Sequence, residues 1–190
     1  HVSFSRMSDL LDTQWAKIIT FREPYSYVVS HLCWVRKLAD EGEEKRFFQH
    51  PKTFQQIALK MKSFDFSHPI QITEFIIWLD SIKFSYFHNT QTLYLDFQKD
   101  TNNAIKSLNE FEFIGVMEET DMLLNNINYE YSFNKIKPET PRKNVNSNKY
   151  GFDLNNIKTR QALLPLLDKD IIIYKEAKKL FDLQNLLYKN

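Results

Sequence analysis

The amino-acid sequence predicts an α/β chain in which a short parallel sheet is outnumbered by its helices. Apolar, β-rich runs, Lys17–Phe21 and Phe113–Val116 above all, are short and far apart. The stretches between them carry apolar residues at helical spacing, and strands alternating with longer helices indicate parallel pairing. The share of helix is high for this class. A chain of 190 residues with 43% hydrophobic and 15% aromatic content can bury a core of its own, so residues 1–190 read as a single domain.

Taken in order, Leu10–Trp15 reads as a short helix ahead of the Lys17–Phe21 strand, which Pro24 closes. Tyr25–Ala39 is helical because Val28, Leu32, Val35 and Leu38 fall on one stripe. The charged run Asp40–Arg46, with Gly42, is a solvated loop or helix end. Pro51 at a first-turn position opens a helix through Phe64, with Phe54, Ile57, Ala58 and Met61 on one face. Ser67-His68-Pro69 breaks it, and Ile72–Phe84 is a strongly apolar helix. Leu93–Asp96 reads as a second short strand. Asp100 or Thr101 caps a helix through Asn109, and Phe113–Val116 makes a third strand. Glu119–Ile127 is helical, and Ser132–Gly151, rich in Asn, Lys and Pro, is a long polar loop. Leu154–Tyr188 forms one or two helices with the break at Pro165.

Composition excludes several function classes. A net charge of +1 lacks the basic excess of a general nucleic-acid binder. No apolar run approaches the roughly 18 residues of a membrane span. The lone Cys33 rules out an internal disulfide or a cysteine-rich zinc site and reads as a buried packing residue. His31, His50, His68 and His88 are too dispersed for a metal triad, so no metal is expected. With three glycines, the chain has no phosphate-cradling or dinucleotide-binding glycine loop. Glu43-Glu44 and Glu118-Glu119 read as surface and helix-start charge, and Lys175, Lys178 and Lys179 as a solvated helix face.

The chemistry concentrates around Arg22. It ends the first strand, and Ser30, eight residues later, lies more than a turn into the next helix. Ligands of open α/β sheets collect at that strand end, and an arginine fork with a hydroxyl suits a phosphate. The pattern Arg22-Glu23-Pro24 followed by Ser30 resembles the 3′-phosphate-binding element of sulfotransferases that use 3′-phosphoadenosine 5′-phosphosulfate (PAPS). Other segments resemble the uronyl 2-O-sulfotransferase-like carbohydrate enzymes. His1-Val2-Ser3-Phe4 is similar to their G-H-x-x-F/Y segment, and Asn89-Thr90-Gln91-Thr92-Leu93-Tyr94-Leu95 to N-x-Q-T-R-x-L. Phe113-Ile114-Gly115-Val116-Met117-Glu118, with Met122-Leu123-Leu124, resembles F-V-G-x-x-E and its helix. Asp168, Ile173-Tyr174, Ala177 and Phe181 resemble a common closing segment. The blocks run in family order along almost the whole chain.

The resemblance implies a P-loop-NTPase-like, three-layer sulfotransferase fold whose first strand and phosphate loop, by family order, would precede His1. It implies His1 as the general base, since an imidazole near neutrality can take a hydroxyl proton. Arg22 and Ser30 would hold the 3′-phosphate. Arg142, Lys143 and Asn146, in the loop Pro141–Lys149, would close over the nucleotide. Asn89 and Gln91 would orient the acceptor or wall the site, helix-end hydrogen bonding being the bland alternative. The co-substrate is PAPS and the acceptor a hydroxyl, that of a carbohydrate, with no metal and no nucleic acid. Tyr27 and Leu93 stand where the family often carries arginines, which favours a less charged glycan or another hydroxyl compound. Trp15, Trp34, Tyr86 and Tyr94 offer rings for stacking on sugars or for the core. Composition leans towards a bacterial cytoplasmic enzyme, with the Golgi lumen the eukaryotic setting. A P-loop-fold kinase and a non-catalytic helical interaction module or degenerate transferase are the competing readings.

Overall fold

Ile18–Phe21 forms strand β1 and Phe113–Val116 forms strand β2, and the two pair in parallel with Ile18 opposite Phe113 and Phe21 opposite Val116. The computed structural model describes residues 16–40, 47–132 and 150–188. The helices are, in chain order, α1 (Pro24–Asp40), α2 (Lys52–Lys60), α3 (Pro69–Ser81), α4 (Thr90–Leu95), α5 (Thr101–Leu108), α6 (Thr120–Tyr131), α7 (Ile157–Leu163) and α8 (Asp168–Leu187). The chain is thus mixed α/β and mostly helical, with a short parallel sheet. Among the described residues no helix is long and apolar enough to cross a membrane.

The chain divides into two compact units. The first is drawn from residues 1–24, 89–142 and 168–190, the second from 25–88 and 143–167. In the first unit β2 is buried along its whole length, with Ile114 and Phe113 entering different clusters. Ile114 joins Phe21, Leu95, Ala104, Leu108, Ile173 and Ala177, while Phe113 joins Val116, Leu123, Ile127 and Phe181. Helix α8 serves both clusters because Ile173, Ala177 and Phe181 recur at helical spacing along it. Gly115 makes room for this packing: a Cβ there would lie 2.4 Å from Leu123 Cδ2. Main-chain groups flanking and within β2 are met by Gln184 of α8. Its Oε1 accepts from the Ile114 N–H at 3.1 Å, and its Nε2 donates to the Glu112 carbonyl at 3.0 Å. A side-chain amide here stands in for a neighbouring strand.

The second unit is built on aromatic packing. Phe66 stacks on Phe152 with centroids 4.6 Å apart and meets Phe75 edge-on at 5.4 Å. Gly151, at φ +84°, turns the chain into Phe152, and a side chain there would collide with Ser67. The expected face of α2 is buried: Phe54, Ile57 and Ala58, with Met61 in the 3₁₀ turn Met61–Ser63 that follows. Cys33 is buried and its thiol is pushed up to about 11 by that burial. His31 sits among Tyr27, Trp34, Tyr86 and Phe87, and burial lowers its pKa.

Several expectations are corrected. Leu93–Asp96 is not a strand; it overlaps helix α4, so Phe113–Val116 is the second strand and not the third. The reason is tertiary, because the first turn of α4 is capped from α8, as described below. Pro69 both ends one segment and opens the next, occupying the first turn of α3. That helix stops at Ser81 and not Phe84, with Lys83 in the left-handed region at φ 51°. The Asp100 cap is present, its side chain accepting from the Asn103 N–H at 2.8 Å. The Pro165 break is also present, as a 3₁₀ turn Leu164–Leu166 between α7 and α8. The helix expected at Leu10–Trp15 lies outside the described residues, as do residues 41–46 of the charged run and most of the long polar loop.

Candidate functional site

The carboxyl ends of β1 and β2 lie side by side, because the parallel ladder closes on the pair Phe21–Val116. Arg22 and Glu23 therefore leave one strand where Met117 and Glu118 leave the other. In an open parallel sheet the main-chain groups released at this edge have no strand partners, and ligands collect there. Here they are held by side chains.

Gln91, in the first turn of α4, grips Arg22 by both main-chain groups. Its Oε1 accepts from the Arg22 N–H at 2.9 Å and its Nε2 donates to the Arg22 carbonyl at 3.0 Å. Glu118 accepts from the Glu23 N–H at 2.9 Å through Oε1, and its Oε2 accepts from the Tyr174 hydroxyl of α8 at 3.3 Å. The Tyr174 phenol is pushed up to about 12 by burial and then by the Glu118 carboxylate, so it remains a donor. The Arg22 side chain differs from its main chain. The residue is half-buried, and among the described residues its guanidinium makes no hydrogen bond or ion pair. The first turn of α1, which starts two residues later, carries no acidic residue. Met117 is 55% exposed beside it on the β2 side.

Behind this edge lies a buried polar cluster joining the starts of α4 and α8. Asp170 of α8 is 0% exposed. Its carboxylate accepts from the Gln91 N–H at 3.1 Å, the Thr92 N–H at 2.7 Å and the Thr92 hydroxyl at 2.7 Å. Asn89 returns the cap: its Oδ1 accepts from the Lys169 and Asp170 N–H groups at 2.9 and 3.1 Å. Its Nδ2 donates to Asp168 at 2.7 Å. Each helix thus supplies or receives the acceptors that the other's orphan N–H groups need. Asn89 does so from the left-handed region, φ 49°, which an asparagine tolerates. Burial raises the Asp170 pKa; the bonds from Thr92 and Gln91 and the charge of Lys99 pull the other way. Lys99 itself is lowered by burial, against the attraction of Asp170.

Among the residues predicted for a site, Arg22 and Gln91 come together at the strand end, and Asn89 lies in the same cluster one layer back. The polar atoms of Asn89 and Gln91 are bonded within the protein; what they orient directly is the chain that carries Arg22. Ser30 is half-buried in the second turn of α1, within the second unit. His1, Arg142, Lys143 and Asn146 lie outside the described residues. Asp170 was not singled out by sequence reasoning, although two acids in the first turn of a helix are a signal for a cap. Glu118 does start a helical turn as expected, and its bond to Glu23 adds a contact that spacing does not show.

The chain matches no family model, no curated protein and no solved structure. A permanently charged fork sits at a strand end whose main chain is fixed on both sides, with a carboxylate already satisfied beside it. Such an arrangement is suited to receiving an anion.

Proposed function

We propose that the chain is part of a sulfotransferase that moves a sulfuryl group from PAPS to a hydroxyl, that of a weakly charged glycan, with Arg22 holding the 3′-phosphate. The observation that carries this reading is the half-buried Arg22 guanidinium, without a hydrogen-bond or ion-pair partner among the described residues, at the carboxyl edge of a parallel strand pair. A partly desolvated guanidinium whose N–H groups are unbonded is costly, and a phosphate dianion matches the planar fork with two charge-assisted hydrogen bonds. The ordered resemblance of the segments from His1 to Phe181 supports the same reading. Ser30 is the second phosphate contact that the resemblance implies, and Arg142, Lys143 and Asn146 are the loop residues it assigns to the nucleotide.

In the reaction the acceptor oxygen bonds to sulfur as the bridging sulfur–oxygen bond of PAPS breaks. The hydroxyl proton passes to His1, and adenosine 3′,5′-bisphosphate leaves. Arg22 takes no part in the bond changes; its role is grip and discrimination against nucleotides lacking the 3′-phosphate.

Calorimetric titration with adenosine 3′,5′-bisphosphate, ADP and AMP tests the reading. The bisphosphate should bind more tightly, and Arg22→Ala should weaken it roughly 10- to 100-fold, the equivalent of losing about 1.5–3 kcal/mol from a bond to a charged group. Equal affinity for ADP would overturn the PAPS reading in favour of a kinase-like one. A second reading, a non-catalytic interaction module derived from a transferase, is favoured by Asn89 and Gln91, whose polar groups face the protein's own backbone and Asp168. That reading predicts no nucleotide binding at all.

A further inference from the structure

Gln91 makes an unusual use of a buried side chain. It is 3% exposed, and both ends of its amide are bonded to the main chain of one residue, Arg22. The strand ladder has already ended at Phe21, so this grip extends the ordered strand by one residue without a third strand. Gln91 is itself held from behind, its N–H bonded to Asp170, whose helix start is capped by Asn89. A continuous series of hydrogen bonds therefore runs from α8 through Asp170 and Gln91 to Arg22. It ends on the residue that is fixed along its main chain and whose head group has no partner among the described residues. A packing role does not require that coincidence; a binding group whose ordering cost is met before the ligand arrives does.

We propose that Gln91 is the positioning residue of the Arg22 anion site, anchored by Asp170, and that its neutral amide, donor on one side and acceptor on the other, holds Arg22 in its binding conformation. The identity of the anion as a 3′-phosphate rests on the reading given above; the positioning role does not. Gln91→Glu is the informative variant. Its ionised carboxylate still accepts from the Arg22 N–H but opposes the Arg22 carbonyl, acceptor against acceptor. Once protonated, the acid donates to that carbonyl as glutamine does.

The groups facing this position are Asp170 from α8, Glu118 and Tyr174 beside Glu23, and Arg22 itself. Wild type and variant share these neighbours, so the two are compared at each pH. Gln91→Glu should bind adenosine 3′,5′-bisphosphate roughly tenfold or more weakly than wild type at pH 7.5 and approach wild type near pH 5. Gln91→Met, which removes both bonds, should be weak at both. Unchanged affinity in both variants, or unfolding of both, would overturn the proposal, because either makes Gln91 a packing residue alone. If wild type binds no 3′-phosphorylated nucleotide, the sulfotransferase reading falls and the same comparison is made with inorganic phosphate, followed by the Arg22 Nε–H resonance. A Gln91→Glu effect there keeps the positioning role; no phosphate response in wild type overturns it too.

Discussion

Replacing Asp170 with alanine should be among the most damaging single changes available in the first unit. The carboxylate accepts three hydrogen bonds, from the Gln91 N–H, the Thr92 N–H and the Thr92 hydroxyl. Gln91 and Thr92 are 3% and 0% exposed, so water cannot replace the lost acceptor without opening the structure. Each stranded buried donor costs about 1–3 kcal/mol, and part of the total is offset because the buried charge also disappears. A net loss of roughly 3–5 kcal/mol follows, which for a chain of this size lowers Tm by about 6–20 °C. Asp170→Asn keeps an oxygen for both Thr92 donors and opposes the Gln91 N–H with an NH₂, so it should cost only about 1–3 kcal/mol. Thermal unfolding followed by circular dichroism reads both values. If the alanine variant melts within about 2 °C of wild type, or the asparagine variant is the worse of the two, the buried cap does not hold the unit together as argued.

Other consequences can be checked in the same way. Burial raises the Asp170 pKa, so its contribution is fully present below the ordinary value of 3.8 and is lost as pH rises through the raised folded value. The stability difference between wild type and Asp170→Asn should therefore grow on acidification from neutrality, measured by urea unfolding across pH; a difference that shrinks would contradict the sign. Gly115→Ala places a methyl 2.4 Å from Leu123 Cδ2 and should destabilise by about 1–3 kcal/mol, and Leu123→Val in the same chain should relieve part of that loss, giving a non-additive double-mutant cycle. Asn89→Gly suits the φ of 49° yet removes the cap on α8, so it should still lose about 1 kcal/mol, with Asn89→Ala losing more. On the proposed sulfotransferase reading, His1→Ala should reduce sulfuryl transfer from labelled PAPS by roughly 10²–10⁴-fold with nucleotide affinity unchanged; full activity would show that the base lies elsewhere.

What could be read in advance was whatever local chemistry decides. Pro24 marks the end of β1 and so puts Arg22 at a strand terminus; Phe54, Ile57, Ala58 and Met61 share a buried side because a 3.6-residue period puts them there. Asp100 caps α5 through a bond that spans only three residues. The misreading of Leu93–Asp96 has the opposite origin. That short apolar run is compatible with strand or helix, and the choice is made by Asp170, 79 residues downstream of Gln91. The candidate site divides in the same way. Arg22 was visible from its place in the pattern, whereas the use of Gln91 on the Arg22 main chain and of Glu118 on the Glu23 N–H depends on pairings across 69 and 95 residues. No periodicity in the sequence encodes contacts of that range.

The reciprocal capping of α4 and α8 also sets a timetable for biosynthesis. Gln91 leaves the ribosome 79 residues before the carboxylate that completes its turn, an interval of about 4–16 s at ordinary elongation rates. Over that interval the ends of α4 and the Gln184 face of β2 lack their partners, while residues 25–88 of the second unit have already emerged. The first unit can therefore close only after α8 is made, so it assembles late and in one step. A ribosome stalled once both strands have emerged but before α8 is made would present them with neither the cap on α4 nor the α8 contacts on β2, a species that chaperones and proteases should recognise as unfinished.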